Sequence, residues 1–569
     1  MEQIDLKQLV EQYPEVLMDG TKLKAYILDL YPQCKRGMVN ILVAIQHCGI
    51  VSEMQASKNP SALDMSRWKK VLDDDYGFAG RTAETCLQMW CDVIESCQTK
   101  NTIVSVSPEL QNSQKDWFEY DGTTLKCLKE QYRQYNGVIY IPYGVTSIGD
   151  YGFKNCTAIT DVVIPKGATS IGEWAFWKCT SLKKVTIPDS IVTMGENAFR
   201  SCEQLTSITL PTNIKTISRR MFSGCARLES IMIPKGVTEI CEGAFEKCVK
   251  LSHISIPEDV QVVGNYAFDN CSGLQMVVFG GRPKCASFGD GAFRSCTALK
   301  NFSMPDSLTS IGQMAFYFCS NLTHVVIPQN IEFIACTAFL GCSGLGEITV
   351  SPQNKKYHSM NNCLIETENK TLNLGCKNSV VPGNGSVTCI GKAAFSWCTG
   401  LTGIFIPHCV TKIYSGAFEG CTHLENITVS EENVKYRNVM KTLIEINSKT
   451  LIWGCKDSII PADGSVTNIG DGAFGGYTNI TEIVIPDDVT KIGDYAFEWC
   501  TEFEKITIPS SVVSIGMCAF SGCRKLSKIN YLSTRAKWED IDKKIGWCHN
   551  TGSFIIHCID GNFIKKALY

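Results

Sequence analysis

A phenylalanine that returns at a nearly constant interval constrains this chain more than any other feature. Six phenylalanines lie 23 residues apart, and eight more follow at intervals of 23, 25 or 56 residues. The fourteen are Phe153, Phe176, Phe199, Phe222, Phe245, Phe268, Phe293, Phe316, Phe339, Phe395, Phe418, Phe474, Phe497 and Phe520. A fixed period in the twenties is the signature of a solenoid, in which each coil packs only on its neighbours. The sequence therefore predicts a repeat array instead of several globular domains.

The residues around each phenylalanine predict how a coil is built. The stretch approximates Ile-Gly-x-x-Ala-Phe-x-x-Cys-x-x-Leu-x-x-Ile-x-Ile-Pro. In one coil, Val185 and Ile187 point inward from a strand that Pro188 ends, because proline has no N–H to donate to a sheet. Met194 then returns to the core, and Phe199 fills its other side. We expect one strand per coil and one parallel sheet.

Thirteen of the 30 cysteines occupy a single repeat position, three residues after the phenylalanine. They are Cys156, Cys179, Cys202, Cys225, Cys248, Cys271, Cys296, Cys319, Cys342, Cys398, Cys421, Cys500 and Cys523, and Tyr477 holds the position once. A free cysteine behaves as a small buried hydrophobe, so this position predicts an inward-facing column of thiols. Coils about 4.8 Å apart would bring neighbouring cysteines within disulfide distance. The redox state of the compartment therefore decides whether they are disulfide-bonded or free thiols.

The pattern and its interruptions divide the chain into five parts. Residues 1–100 lack the repeat and predict a helical module, and 101–116 form a polar linker. Residues 117–144 predict a β cap, with hairpin-type turns at Asp121-Gly122 and Asn136-Gly137. Coils occupy 145–530, and 531–569 form a closing cap. The two 56-residue intervals predict matching β-hairpin inserts near 351–381 and 430–460.

Five helices are expected in the first hundred residues. Apolar residues at helical spacing, with Pro14 and Pro32 as breakers, predict the first two. The others span about 36–51, 61–74 and 81–97. The cysteines of the last helix lack the Cys-x-x-Cys spacing of a zinc site.

The composition and the first residues limit which kinds of partner and which compartment are expected. The net charge is −3, from 54 basic and 57 acidic residues, which argues against general nucleic-acid binding. The start, Met1-Glu2-Gln3-Ile4-Asp5, has no basic region followed by an apolar one, so no signal peptide is expected. The run Met38 to Val51 is too short and too polar to span a bilayer. We expect a cytoplasmic protein with reduced cysteines; a surface location is the alternative.

At these residues the sequence resembles the BspA-type leucine-rich repeat family, from about Trp117 to Gly561. The repeat core, the two inserts and the tail ending in Ile-His-Cys-x-Asp-Gly carry the resemblance. It implies a curved right-handed solenoid with a parallel sheet, used for protein contact or adhesion, without catalytic residues. The first hundred residues are similar to a helical module that precedes bacterial effector or repeat regions. The expected fold is α+β: a small all-α domain, then a leucine-rich-repeat solenoid with two β-hairpin inserts.

No catalytic, cofactor or metal constellation emerges from the sequence. Glycine-rich phosphate loops and the His-Glu-x-x-His pattern are absent. The strongest metal candidate joins Cys548-His549 with His557-Cys558, but adjacent residues of a strand point to opposite faces. We therefore predict no cofactor, no metal and no enzymatic activity.

The outward side of the repeat strands is the predicted binding surface. Threonine and valine are common on any exposed strand, so they carry little information. Exposed apolar residues gathered on one face do mark interaction sites. The histidines on this face are expected to be solvent-facing strand residues instead of metal ligands. The candidate partner contacts are Met232, His253, Met276, Val278, His324, Val326 and Phe405.

These features favour a non-enzymatic scaffold that binds a protein of unknown identity. An exported surface adhesin or host-contact protein is the runner-up, because many relatives implied by the resemblance are exported. An enzyme with a site in the helical module ranks last, since no triad or metal set is present. Cell fractionation with alkylation of free thiols would separate the first two.

Overall fold

The computed structural model describes residues 42, 45, 50, 62–76, 83–91 and 112–566. The chain divides into two compact units. Unit 1 comprises Met1–Gln261 and Met276–Lys284, and unit 2 comprises Val262–Gln275 and Cys285–Tyr569.

Two helical stretches are described in the N-terminal region. One is the helix Ala62–Tyr76, and the other is helical backbone over 83–91. They overlap the last two predicted helices, 61–74 and 81–97. Of the third predicted helix only Leu42, Ile45 and Ile50 are described, with helical backbone, and the first two lie outside the described residues. Trp90 is buried and donates its indole N–H to the carbonyl of Leu42 over 3.1 Å, which joins the stretch 83–91 to Leu42. Among the described residues, no helix combines the length and apolar character needed to cross a membrane.

The predicted hairpin at Asp121-Gly122 is confirmed. Phe118–Asp121 and Thr124–Leu128 pair antiparallel. Gly122 lies in the turn at φ +59°, a conformation that glycine adopts without steric cost.

The prediction of a second hairpin-type turn, at Asn136-Gly137, is wrong. Val138–Tyr140 pairs in parallel with Asp161–Val163 of the next coil instead of turning back on the preceding strand. A 3-10 turn at Glu130–Tyr132 lies between the two strands and carries the chain from one sheet to another.

Each regular coil of unit 1 contributes two strands to two parallel sheets, one more than the sequence predicted. In the coil of Phe176, Lys184–Thr186 belongs to a sheet of longer strands, called here the long-strand sheet. After Pro188 the chain turns, and Thr193–Met194 joins a second sheet, the short-strand sheet. Gly195 then packs so tightly that a Cβ would lie 2.5 Å from the amide nitrogen of Glu173. The return strand is short because close backbone packing ends it.

The strands of unit 1 fall into these two sets. Those of the long-strand sheet are hydrogen-bonded in three separate groups: Val138–Tyr140, Asp161–Val163 and Lys184–Thr186; Ser207–Ile208 and Ser230–Ile231; and His253–Ile256 and Met276–Phe279. Those of the short-strand sheet are Ser147–Ile148, Ser170–Ile171, Thr193–Met194, Thr216–Ile217 and Glu239–Ile240, with Thr124–Leu128 paired to the first.

Unit 2 repeats the arrangement and ends in a different cap. Its long strands are His324–Ile327, Glu347–Val350, Gly403–Ile406, Asn426–Val429, Glu482–Val484, Lys505–Ile508, Lys528–Tyr531 and Phe554–Cys558. Its short strands are Val262–Val263, Ser287–Phe288, Ser310–Ile311, Phe333–Ile334, Cys389–Ile390, Lys412–Ile413, Asn468–Ile469, Lys491–Ile492, Ser514–Ile515 and Asp542–Lys543. The cap consists of the helix Arg535–Asp540 and the strand Gly561–Lys565, which pairs antiparallel with Phe554–Cys558.

The repeat phenylalanines form stacks at the core of each unit. Phe153 and Phe176 are fully buried and stack with ring centroids 4.9 Å apart in unit 1. Phe474 and Phe497 do the same at 5.1 Å in unit 2. The backbone repeats at this spacing, because the amide of Phe153 donates to the carbonyl of Ala175 over 2.7 Å. Alanine or glycine precedes every ring except Phe222, which follows Met221, and a small residue there permits this approach.

Both long intervals contain the predicted β-hairpin inserts. Tyr357–Met360 pairs antiparallel with Cys363–Glu366, which pairs antiparallel with Thr371–Leu374. That third strand then pairs in parallel with Cys389–Ile390 and so rejoins the short-strand sheet. The second insert repeats the arrangement with Tyr436–Val439, Thr442–Glu445 and Thr450–Gly454.

A glycine replaces the repeat phenylalanine where each insert rejoins the coil. Gly375 donates its amide to the carbonyl of Ala394, as a repeat phenylalanine would. A Cβ on Gly375 would lie 2.0 Å from the ring of Phe395, so that ring occupies the vacant side-chain space. Gly454 has the same relation to Phe474, at 2.2 Å. The missing phenylalanine merges two intervals into one, and the inserted hairpin lengthens that interval to 56 residues.

The predicted column of inward cysteines is confirmed, and its thiols have a backbone partner. Cys202 is buried and lies with Sγ 3.2 Å from the carbonyl oxygen of Phe176 in the preceding coil. The bond recurs at Cys179, Cys225 and Cys248 in unit 1 and at Cys296, Cys319, Cys342, Cys421, Cys500 and Cys523 in unit 2. Burial raises the pKa of Cys202 well above its ordinary value.

Candidate protein-binding face

The long-strand sheet presents alternate side chains to solvent. In Gly403–Ile406, Ile404 and Ile406 are buried, and Phe405 between them is 48% exposed. In each parallel pair, residues at equivalent positions of neighbouring coils lie side by side, so the outward residues form rows. All seven candidate contacts lie on this outward side or directly after a long strand.

In unit 1 the structure brings three of the candidates together. His253 lies directly opposite Met276 in the parallel register, and Val278 lies opposite Ser255. His253 is exposed, whereas Met276 and Val278 are half-buried. Met232 follows the strand Ser230–Ile231 and is also half-buried. Three of these four candidates are therefore less accessible than the sequence suggested.

In unit 2 the candidates lie on different strand pairs. His324 and Val326 belong to His324–Ile327, opposite Glu347 and Thr349. Phe405 lies on the separate pair formed by Gly403–Ile406 and Asn426–Val429. The first insert follows Val350 in sequence and separates these pairs along the chain.

Three exposed apolar residues of unit 2 recur at an interval longer than a single coil. Val326, Phe405 and Val484 succeed one another at intervals of 79 residues, the sum of a 23-residue and a 56-residue interval. Their exposed fractions are 48%, 48% and 58%. Each stands opposite a threonine in its parallel pair: Thr349, Thr428 and Thr507. Val484 was not among the predicted contacts, although the 79-residue spacing in the sequence points to it.

The charge around this row varies between its three positions. Val326 shares its strand with His324, opposite Glu347. The strand of Phe405 begins with Gly403 and is uncharged. These differences would let three equivalent apolar positions contact different parts of a partner.

A pair of glutamates in unit 2 was missed by sequence reasoning. Burial, together with the neighbouring Glu419, raises the pKa of Glu498 to about 7. Burial also raises the pKa of Glu419. Glu419 packs across Gly475, where a Cβ would lie 3.2 Å from its Cγ. No charge motif in the sequence marks this pair, because the two residues come from different coils.

Residues that could hold a metal are not grouped in the described part of the chain. No cluster of three or more His, Cys, Asp or Glu side chains there has a suitable arrangement. His557 and Cys558 are consecutive on the strand Phe554–Cys558, and Cys548 is buried before it.

Several solved structures are similar to this chain. No curated protein sequence matches the chain. A leucine rich cell surface protein of Faecalibacterium prausnitzii is 27% identical, with a TM-score of 0.41, over 75% of this chain and 94% of that one. A leucine-rich repeat protein of Bacteroides ovatus is 23% identical, with a TM-score of 0.37, over 77% and 97%. A leucine rich repeat protein of T. pallidum is 27% identical, with a TM-score of 0.30, over 33% and 89%.

The sequence match to a repeat family covers most of the chain. The family described as BspA type leucine rich repeat region (6 copies) matches residues 137–252, 238–366, 373–440 and 444–546. These ranges include the stacked phenylalanines, the thiol column and both inserts. The chain therefore belongs to the BspA-type leucine-rich repeat family.

Proposed function

We propose that this protein is a non-enzymatic scaffold that binds a protein partner through the long-strand sheet of unit 2. This proposal rests on the row Val326, Phe405 and Val484, in which each side chain is about half exposed or more. The repeat at 79 residues gives the surface three equivalent apolar positions.

The chemistry of the row favours a protein over a small ligand. Valine alone would be ordinary on an exposed strand. Phe405 is different, because an aromatic ring about half exposed leaves a large apolar area in water. Aromatic anchors surrounded by smaller contacts are typical of binding hot spots, and Thr428 supplies such a neighbour.

The rigidity of the strands supports the same function. Phe405 lies between two buried isoleucines, which fix the direction of its strand. A surface held in this way loses little conformational freedom on binding, and that reduces the cost of association. The inserts extend the contact at their tips, where Met440 is 58% exposed.

We also propose that the scaffold works in a reducing compartment. The thiol of Cys202 is directed to the carbonyl of Phe176, and the same bond recurs in nine other coils. A thiol that donates to the backbone contributes to packing only while it stays reduced. Mass spectrometry of the native protein from fractionated cells tests this, because disulfides within the column would contradict it.

The binding face is tested by photo-crosslinking from two aromatic positions. A benzophenone amino acid replaces Phe405 in one variant and Phe333 in the other. Phe333 is 54% exposed but belongs to a short strand, so it is a matched control on the other sheet. We expect a specific adduct from position 405 only.

The protein in that adduct is then purified and titrated against surface variants. Phe405→Asp should weaken binding at least about tenfold, as loss of a hot-spot residue does. Val326→Asp and Val484→Asp should weaken it less, and Phe333→Asp should leave it unchanged. Equal affinity for Phe405→Asp and the unsubstituted chain, with circular dichroism preserved, would refute the proposed face.

A further inference from the structure

Unit 1 carries a cluster of aromatic and basic side chains outside both sheets. It lies on the turns around three consecutive repeat phenylalanines and is called here the aromatic–cationic patch. Its members are Tyr151, Lys154, Trp174, Trp177, Lys178 and Arg200.

The three rings of the patch contact one another. Tyr151 stacks on Trp174 with centroids 6.4 Å apart and planes 10° from parallel. Trp177 meets Trp174 edge-on at 5.0 Å. Tyr151 is 47% exposed, and both tryptophans are half-buried. The rings therefore form a rigid platform that remains open to solvent.

Three cations lie against these rings. Lys154 Nζ is 5.0 Å from the ring centroid of Tyr151 and 4.9 Å from that of Trp177. Lys178 lies 4.8 Å from Trp177, and Arg200 lies 5.6 Å from Trp174. Four such contacts within 50 residues exceed the usual frequency of about one per 70–80 residues.

The cations of the patch have no carboxylate partner among the described residues. Arg200 donates to the amide oxygen of Asn197 over 3.4 Å, a neutral acceptor. A different arrangement occurs in unit 2, where Arg294 also lies over a tyrosine ring. There Asp269 accepts two hydrogen bonds from Arg294, at 2.7 and 2.8 Å, and neutralises it. The patch in unit 1 retains its positive charge.

Two of the rings stand at a repeat position whose backbone is left-handed in most coils. Tyr151 and Trp174 have φ angles of +60° and +57°. Tyr266, Met314 and Tyr495 occupy the same position at +55°, +54° and +56°. The conformation therefore belongs to the repeat, and the case for a site rests on the rings and cations themselves.

We infer that the aromatic–cationic patch binds an anionic glycan. Sugar rings present apolar C–H faces that pack on aromatic rings, and carboxylate or sulfate groups on the sugars would pair with the ammonium and guanidinium groups. Asp150 and Glu173 stand immediately before the two rings and are exposed. Their carboxylates accept hydrogen bonds from sugar hydroxyls.

The same two carboxylates disfavour other anionic ligands. A nucleic acid carries a phosphate at every nucleotide, so one strand crossing the patch would also meet Asp150 and Glu173. A polyglutamate segment would meet the same repulsion and offers no hydroxyls. An anionic glycan also carries many hydroxyls, which can donate to these two carboxylates, so it fits the mixed surface.

Isothermal titration calorimetry on the intact protein tests the inference. The probes are a heparin-derived hexasaccharide, an oligogalacturonate, a neutral cello-oligosaccharide, oligothymidylate and polyglutamate. We expect binding of the sulfated or the carboxylated oligosaccharide, or both, which also distinguishes the two anionic groups. Absence of binding to both, or tighter binding to the neutral sugar, oligothymidylate or polyglutamate, overturns it.

Variants then locate the site. Trp177→Ala should weaken binding about tenfold, and the double variant Lys154→Ala with Lys178→Ala should do the same while reducing salt dependence. The double variant keeps all three rings, so it tests the site even if Trp177→Ala is unstable. The matched control is Trp499→Ala in unit 2, an exposed tryptophan with a single cation, Arg524, over its ring. Equal loss in this control would overturn the assignment.

Discussion

The thiol of Cys202 donates to the carbonyl oxygen of Phe176 over 3.2 Å, one coil away. The same carbonyl accepts the amide of Cys179 within its own coil, at 3.1 Å. Each of the ten repeat cysteines that make this bond therefore completes the hydrogen bonding of a buried backbone oxygen. This relation explains why a small weak donor, instead of a larger apolar residue, occupies the position.

Replacement of one column cysteine should destabilise the solenoid. Cys202→Ala removes the thiol donor and leaves a small void in a fully buried site. We expect the free energy of unfolding to fall by about 1–2 kcal/mol. Urea denaturation followed by circular dichroism measures the change. Cys336→Ala, at an exposed cysteine, is the control and should change stability by less than about 0.5 kcal/mol.

Alkylation should distinguish buried from exposed thiols in the native protein. Burial raises the pKa of Cys202, so little thiolate is present and reagents cannot reach it. Iodoacetamide should label Cys336 roughly 100-fold or more faster than Cys202, and unfolding should remove the difference. Peptide mass spectrometry over a time course gives both rates. Comparable rates in the folded protein would show that the column is open.

The sequence predicts the coil register because one residue type repeats at a fixed interval. Phe153 and its equivalents fix which residues of every coil are buried, and that register predicted the cysteine column. It did not predict the second sheet. A two-residue strand such as Thr193–Met194 is too short for an alternating pattern to be recognised.

The candidate site was less predictable than the fold, because residues that interact in the structure lie far apart along the chain. Phe405 and Val326 could be recognised as outward residues from their position in the coil. Glu419 and Glu498 lie 79 residues apart, and only the packing of coils brings their charges close enough to interact. The partial burial of Met276 depends on neighbouring coils in the same way.

Gly375 should not tolerate a side chain. In Gly375→Ala, the new Cβ would fall 2.0 Å from the ring of Phe395, so the ring or the insert must move. Overpacking of this kind costs about 1–3 kcal/mol, which thermal unfolding would detect as a lower Tm. Gly403→Ala is the matched control, because its nearest neighbour would be the carbonyl of Asn426 at 3.5 Å. An unchanged Tm for Gly375→Ala would show that the ring of Phe395 does not fill the side-chain space of Gly375.

The second insert should gain stability from a better turn residue. Met440 and Lys441 form its tight turn at φ +48° and +59°, whereas the first insert has Asn361 and Asn362 at the same place. Asparagine tolerates the left-handed conformation better than methionine. Met440→Asn should therefore stabilise the protein by up to about 1 kcal/mol in urea denaturation. The reciprocal Asn361→Met should destabilise it, and a gain there would refute the explanation.

Glu498 should make the protein less stable as pH rises through neutrality. Its folded pKa is about 7, above the ordinary 4.5, because of burial and the charge on Glu419. Folding therefore favours the protonated form: the contribution to stability is complete below about pH 4.5 and is lost as pH rises through 7. Glu498→Gln should remove this loss and raise the free energy of unfolding at pH 8 by about 1 kcal/mol, after allowance for solvent screening. Urea denaturation at pH 4.5, 6 and 8 measures it, with the exposed Glu504→Gln as control. A pH profile unchanged by Glu498→Gln would show that this carboxyl ionises as freely in the folded chain as in the unfolded one.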